Sequence, residues 1–242
     1  MKYIFCLLAL FASALLIAQP QNKFNIYKGD TINKRDAKAL KQGVFMKFYK
    51  TDTVFSKGQF LNDKPFGTFY FYAADGKIES KMIYEGKSGK ARFYNYYPNG
   101  KLKAQGNYVN QKKDSVWSYY GENDSLSATE VYKNGIENGE WKVYYFNGKV
   151  SEITTYVNGK RNGPYRMYFD NGKIKVEGTY KDNKLNGYYK SYYSNGFIYL
   201  EGPYKNNFKD GVWRVHSEEG KIKTQMTYKN GVSDNPAAED EQ

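Results

Sequence analysis

One segment in the middle of the chain contains the pattern of the whole protein: Gly139-Glu140-Trp141-Lys142-Val143-Tyr144-Tyr145-Phe146-Asn147-Gly148-Lys149-Val150, running on to Tyr156-Val157-Asn158-Gly159. An aromatic-rich run is followed by Asn-Gly, then by alternating apolar and polar residues, and then by a second Asn-Gly. Asn-Gly between alternating segments is the strongest short-range signal of a hairpin. The segment therefore predicts two antiparallel strands and two turns.

The same pattern returns every 24 residues, and we count positions in each copy from its opening residue, position 0. Small residues occupy position 0: Gly43, Gly67, Ala91, Ser115, Gly139, Gly163, Gly187 and Gly211. Position 2 is aromatic in every copy: Phe45, Phe69, Phe93, Trp117, Trp141, Tyr165, Tyr189 and Trp213. Position 17 is also always aromatic: Phe60, Tyr84, Tyr108, Tyr132, Tyr156, Tyr180, Tyr204 and Tyr228. A fixed period of this length is typical of repeat proteins, whose units bury their apolar faces against neighbours.

Each copy predicts one strand over about positions 1–6 and a second over about positions 11–18. Helix signals are nearly absent. The predicted fold is all-β: an elongated, twisted antiparallel meander of about eight 24-residue β-hairpin repeats. The predicted organisation is a signal peptide (1–18), an N-terminal lead-in (19–42), eight repeats (43–232) and an acidic disordered tail (233–242).

The N-terminus has the layout of a secretory signal peptide. Lys2 precedes an apolar run from Tyr3 to Ala18, after which the chain turns polar at Gln19. The run is short for a membrane span, which needs about 20 apolar residues. We predict export to the periplasm, the envelope or the medium with cleavage after Ala18; an uncleaved anchor is the alternative. Cleavage would remove Cys6 and leave a chain without thiols, which suits an oxidising compartment.

Composition excludes several classes of site. The 242 residues carry a net charge of +12 and include one Cys and one His, so four-ligand Cys/His zinc sites and Cys–His catalysis are excluded. His216 occupies position 5, which is aromatic in the other copies, and we interpret it as a ring replacing a ring. Nucleophile-elbow, P-loop and dinucleotide motifs are absent from the sequence. Glu152, Glu177 and Glu201 are interpreted as solvated sheet residues, and we predict no enzyme, no catalytic residue, no metal and no cofactor.

The repeat pattern resembles a known family. The string G-x-W-x-x-Y-Y-x-N-G-K-hydrophobic, closed by Tyr-x-Asn-Gly, is similar to the variant MORN repeat over about residues 43–232. The first, second and fourth copies depart from it: Asp52 and Asp124 replace the turn Gly, and Ser115 replaces the opening Gly. Bacterial proteins of this type are often labelled as antitoxins of toxin–antitoxin systems. The resemblance implies a partner-binding protein without enzymatic activity.

Two sets of residues are candidates for partner binding. The aromatic candidates come from positions 2 and 5, which have opposite strand parity and face opposite sides unless a bulge intervenes. One ring set then builds the core while the other is free to grip a partner or stack on sugars; the alternative is that both sets pack. The aromatic candidates are Trp117, Trp141, Trp213, Tyr144, Tyr168 and Tyr192. The basic candidates follow the turn Gly in five copies: Lys77, Lys101, Lys149, Lys173 and Lys221.

These features leave two functions open. The first is an exported non-catalytic scaffold or interaction module with an unidentified protein partner. The alternative is a cell-envelope binding module for anionic glycan or lipid headgroups, in which the turn lysines attract the ligand and do not merely block strand edges. Nucleic acid is disfavoured, because the predicted export and the lack of a recognition motif both argue against it.

Overall fold

The computed structural model describes residues 25–86 and 88–235. The predicted signal peptide and residues 236–242 of the predicted tail lie outside the described residues. The chain divides into two compact units, Met1–Gln111 and Lys112–Gln242. No helix in the described part of the chain has the length and apolarity that crossing a membrane requires.

The first unit is a run of antiparallel hairpins. Its strands are β1 (Ile26–Tyr27), β2 (Asp30–Thr31), β3 (Gln42–Phe48), β4 (Val54–Leu61), β5 (Lys64–Tyr72), β6 (Ile78–Tyr84), β7 (Lys90–Tyr96) and β8 (Leu102–Val109). From β3 to β8 each strand pairs antiparallel with the next in sequence. The predicted meander of consecutive hairpins is confirmed here.

The second unit repeats the arrangement. Its strands are β9 (Lys112–Tyr120), β10 (Leu126–Lys133), β11 (Ile136–Glu137), β12 (Gly139–Tyr144), β13 (Val150–Val157), β14 (Lys160–Tyr168), β15 (Ile174–Lys181), β16 (Lys184–Leu185), β17 (Gly187–Tyr192), β18 (Ile198–Lys205), β19 (Phe208–Lys209), β20 (Gly211–His216), β21 (Ile222–Lys229) and β22 (Val232–Ser233). Three short strands, β11, β16 and β19, are each separated by one residue from the strand that follows. The all-β antiparallel prediction therefore holds in both units.

The two ends of each hairpin use different turns. After the first strand, the Gly148 amide donates to the Tyr145 carbonyl and the Tyr145 amide to the Lys149 carbonyl, which makes a three-residue loop with glycine at φ 79°. After the second strand, Asn158 and Gly159 both have positive φ, at 50° and 81°, as a two-residue type I′ turn requires. The first Asn-Gly also closes a hairpin, as predicted, but only its glycine has positive φ. Asn147 instead accepts the Lys149 amide on Oδ1 at 3.0 Å and closes the loop with its side chain.

In three hairpins the first strand begins clearly earlier than predicted, as β5, β9 and β14 show. In the copy that opens at Gly163, β14 begins at Lys160, directly after the preceding type I′ turn. The ladder then passes a register shift, and Gly163 adopts φ 120° within it. A backbone of that conformation favours a residue without Cβ, which accounts for the glycine at position 0.

Aromatic rings from positions 2 and 17 pack on the same side of the sheet, which we call the ring face. In the first unit the ring centroids of Phe45 and Phe60 lie 5.2 Å apart, and those of Phe60 and Phe69 also lie 5.2 Å apart. In the second unit Trp213 lies 4.8 Å from Tyr204. Edge-to-face ring pairs contribute about 0.5–1.5 kcal/mol beyond their buried area. The ring face is therefore the main core of each unit.

The lead-in segment covers the opposite side of the first repeat. Ile32, Met46 and Phe48 form a buried cluster against which Tyr27 packs. The Asn33 amide donates to the Val44 carbonyl, and the Gln42 amide to the Lys34 carbonyl. Residues 25–41 therefore cover the side of β3, the first repeat strand, that lies opposite the ring face.

Candidate binding surfaces

Position 5 and position 2 face opposite sides of the sheet, as the parity argument predicted. In the second unit, Tyr192 at position 5 donates from Oη to Glu177 Oε1 at 2.5 Å. Glu177 pairs in register with Arg166 and with Lys190, and none of these residues joins the ring pairs. We call this side of the second unit, carrying Arg166, Glu177, Lys190, Glu201 and Arg214, the polar face.

Charges on the polar face alternate from strand to strand. Glu177 stands between Arg166 and Lys190, and Glu201 stands in register with Lys190 and with Arg214. Opposite charges across a sheet stabilise the pairing modestly. The interpretation of Glu177 and Glu201 as solvated is too simple, because each contacts the position-5 side chain of the next repeat. The Tyr192 hydroxyl donates to Glu177 Oε1, and His216 Nε2 lies 3.2 Å from Glu201 Oε1.

Two of the turn lysines that were proposed as ligand contacts bridge neighbouring turns. Lys149 Nζ donates to the Asn171 carbonyl at 3.2 Å, and Lys173 Nζ donates to the Asn195 carbonyl at 3.1 Å. Lys77 Nζ lies 3.5 Å from Asp75 Oδ2, with both side chains more than half exposed. Lys101 and Lys221 are at the corresponding position of their own turns. At least part of the lysine row therefore supports the turns themselves.

The predicted aromatic residues fall into two groups. Trp117 and Trp213 are 2% and 1% exposed, so their indoles pack in the core and present almost no surface to a partner. Trp141 is half-buried, with its ring 4.4 Å from that of Tyr156. The position-5 residues Tyr144, Tyr168 and Tyr192 are half-buried on the opposite side. A partner contact through these four half-buried rings stays a prediction.

Hairpin β17–β18 exposes three large aromatic side chains that the repeat pattern did not single out. Tyr188 is 48% exposed, Phe197 51% and Tyr199 41%. Phe197 stands where five other copies have the turn lysine, and Tyr188 stands at position 1, where no other copy has an aromatic residue. These departures from the repeat consensus were the available sequence signal. Lys190 Nζ lies 5.8 Å from the ring centroid of Tyr188. Exposed aromatic rings with a basic neighbour match the composition of protein interfaces.

A partly buried polar cluster interrupts the ring face of the second unit at Glu130. Its Oε2 accepts bonds from Tyr119 Oη at 2.5 Å and from Tyr132 Oη at 2.8 Å, while Lys113 Nζ donates to Tyr119 Oη at 2.9 Å. Burial, followed by the hydrogen bond and charge of Glu130, raises the pKa of Tyr119. Burial lowers the pKa of Lys113, against the opposing effect of Glu130. Lys113 also lies 4.3 Å from the Trp117 ring. Because each polar group has a partner, the cluster acts as a structural network.

The first unit contains an open groove of about 560 Å³ on the side away from its ring face. Its walls include Tyr70, Lys77, Ile78, Lys81, Tyr96 and Tyr97. Lys81 Nζ lies 4.7 Å from the ring centroid of Tyr94 and 5.8 Å from that of Tyr96. The hydrogen bond with Tyr96 raises the pKa of Lys81, against the effect of burial, so the amine is charged at neutral pH. The groove lining named here contains no acidic residue.

Residues for metal binding are not gathered anywhere in the described ranges. Within residues 25–86 and 88–235, no group of three or more His, Cys, Asp or Glu side chains is placed to hold a metal ion.

Comparison with known proteins agrees with the repeat architecture. No curated protein matches the chain in a sequence search. The family model described as MORN repeat variant matches residues 91–110, 137–158, 161–182, 185–206 and 209–230. The three copies without a match are the first, second and fourth, which depart from the consensus yet form the same hairpins. Five segments of this chain are thus similar to the variant MORN repeat, a unit that suggests a repeat-based binding or interaction module.

Proposed function

We propose that this protein is an exported, non-catalytic scaffold whose repeats bind another protein, with hairpin β17–β18 as the main contact. The observation that carries the proposal is the exposure of Tyr188, Phe197 and Tyr199 on this one hairpin, at 48%, 51% and 41%. Buried aromatic anchors contribute most of the binding energy of protein interfaces. Their exposure in the free chain is therefore the expected state of an unoccupied contact surface.

The surroundings of these rings support a protein partner. Tyr188 interacts with both Glu201 and Arg214, so a charged pair borders the ring. Phe197 lies against the turn of the next repeat, close enough that a Cβ on Gly220 would be 3.0 Å from its ring. Tyr199 is held edge-on by Tyr193, with the ring centroids 5.1 Å apart. Rings fixed in this way lose little side-chain entropy on binding.

Export and the lack of catalysis enter the proposal from the sequence. The apolar run from Tyr3 to Ala18 supports secretion, and the single His, interpreted as a replaced ring, offers no general base. The resemblance to proteins labelled as antitoxins likewise implies a protein partner.

The test is an affinity capture from a cell-envelope extract of the source organism, at low and at high salt. The full chain is compared with a variant carrying Tyr188→Ser, Phe197→Ser and Tyr199→Ser. We expect one protein to be captured by the unmodified chain at both salt concentrations, because apolar contacts are not screened. The triple variant is expected to lose it.

A matched control separates this contact from general stickiness. Phe146 is 89% exposed on a different hairpin, so Phe146→Ser removes an exposed ring without touching the proposed surface. We expect the Phe146→Ser variant to capture the same protein as the unmodified chain. Equal capture by the triple variant, or equal loss in the control, would overturn the assignment to hairpin β17–β18. Thermal unfolding of each variant shows that the fold is retained.

A further inference from the structure

The groove in the first unit differs from the polar face of the second unit at two repeat positions, 3 and 14. Position 14 carries Glu177 and Glu201 in the second unit, and each carboxylate faces basic residues on both neighbouring strands. In the copy of the first unit that opens at Gly67, the same position carries Lys81. Its two cross-strand neighbours are Tyr70 and Tyr94, so a charge of the opposite sign stands between two rings.

Two lysines, Lys77 and Lys81, line the groove. Lys77 pairs with Asp75, whereas Lys81 lies among tyrosines. A lysine ammonium has three hydrogen-bond donors. The Lys81 ammonium lies 4.7 Å from the ring centroid of Tyr94 and 5.8 Å from that of Tyr96. Lys81 lines the open groove together with the half-buried rings of Tyr70, Tyr96 and Tyr97.

The chemistry of the groove suits a sugar that carries an acidic group. The negative face of a tyrosine ring attracts the polarised C–H bonds of a pyranose, and its hydroxyl bonds to sugar hydroxyls. A carboxylate or sulfate on that sugar would accept charge-assisted bonds from Lys81, which are about twice as strong as neutral ones. A lipid surface fits less well. Ile78 is the one aliphatic side chain among the six wall residues named, whereas interfacial binding buries several projecting apolar residues.

We propose that the groove formed by Tyr70, Lys81 and Tyr96 is a binding site for an acidic polysaccharide, with Lys81 on the anionic group and the tyrosines on the sugar rings. The site is separate from the protein contact on hairpin β17–β18, and either proposal can fail without the other.

The test is affinity electrophoresis of the full chain in gels containing dextran sulfate, polygalacturonate or neutral dextran. We expect retardation by an acidic polymer and not by neutral dextran. The polymer that retards the chain more strongly, dextran sulfate or polygalacturonate, then identifies the preferred anionic group as sulfate or carboxylate. Lys81→Gln is expected to weaken binding about tenfold, the size of effect that loss of one charged hydrogen bond produces. Tyr70→Leu, which keeps the apolar volume, should weaken it as well.

Lys175→Gln is the matched control, since Lys175 is an exposed lysine 5.6 Å from the Phe169 ring in the second unit. It changes the net charge by the same amount and should leave retardation nearly unchanged. Co-sedimentation with phosphatidylglycerol vesicles is measured alongside. Three results would overturn the site: no retardation by either acidic polymer, equal loss in Lys81→Gln and Lys175→Gln, or binding to the vesicles alone. The last result would assign the groove to a membrane surface instead.

Discussion

The indole of Trp213 packs against the backbone of Gly202 so closely that a Cβ on that glycine would overlap the ring. Phe69 lies on Gly58 in the same way. In both cases the glycine is at position 15 of one repeat and the ring is at position 2 of the next. At these two places the missing side chain is therefore what allows the ring of the next repeat to lie directly over the strand.

Gly202→Ala should lower the free energy of unfolding by about 1–3 kcal/mol, because overfilling a packed site displaces the ring. At Gly178 a Cβ would lie 3.3 Å from Tyr189 Cδ2, so Gly178→Ala should cost less. Neither glycine has positive φ, and backbone strain does not complicate the comparison. Urea unfolding of the two variants measures the difference, and an equal or reversed order would contradict the packing explanation.

Tyrosines at position 6 hold neighbouring turns together. Tyr145 Oη donates to the Tyr168 carbonyl at 2.6 Å, and Tyr193 Oη donates to the His216 carbonyl at 2.8 Å. Tyr145→Phe should therefore cost about 1 kcal/mol of stability, the typical contribution of one hydrogen bond. Tyr199→Phe is the control, because this hydroxyl makes no hydrogen bond within the described residues and the side chain is 41% exposed. Equal unfolding midpoints for the two variants would contradict the role of the Tyr145 hydroxyl.

The hairpins and the ring face were predictable because the burial pattern of a strand has a period of two. Rings at positions 2 and 17 repeat without a gap in the sequence, and they are the rings that pack. The early start of strands such as β14 was not predictable in the same way. Lys160 and Arg161 join the ladder through their backbones, which leaves no apolar signature in the sequence.

The binding surfaces were harder to predict, since exposure depends on what lies across neighbouring strands. Trp117 and Trp213 were predicted to contact a partner because they are large aromatic residues. The same property places their side chains in the core. Lys81 gave no signal alone. It stands out only when its cross-strand neighbours Tyr70 and Tyr94 are known. Register is a tertiary property that one copy of a repeat does not reveal.

The Glu130 cluster predicts a loss of stability at alkaline pH. Burial and Glu130 raise the pKa of Tyr119 and of Tyr132 above the ordinary 10.0. The folded protein then keeps protons that the unfolded chain releases, so this stability is full below about pH 10 and is lost as the pH rises further. Lys113, whose pKa is lowered, acts with the opposite sign but offsets only one proton.

Tyr119→Phe should therefore flatten the decline in unfolding free energy between about pH 9 and pH 11, because one of the shifted groups is gone. Denaturant unfolding at a series of pH values measures the slope. A decline as steep in Tyr119→Phe as in the unmodified chain would show that other groups control the alkaline transition.

The single histidine is predicted to be replaceable by the residue that its repeat position usually carries. His216 is 9% exposed, with Nε2 3.2 Å from Glu201 Oε1, and Tyr192 occupies the equivalent place one repeat earlier with its hydroxyl on Glu177. His216→Tyr should keep both the ring and the contact, and change stability by less than about 1 kcal/mol. His216→Ala removes a buried ring and leaves Glu201 with one partner fewer, so it should cost about 2–4 kcal/mol. Thermal unfolding distinguishes the two, and equal destabilisation by Tyr and Ala would contradict the ring-for-ring interpretation. Unchanged partner capture by His216→Tyr would further support a binding protein in which the imidazole has no chemical role.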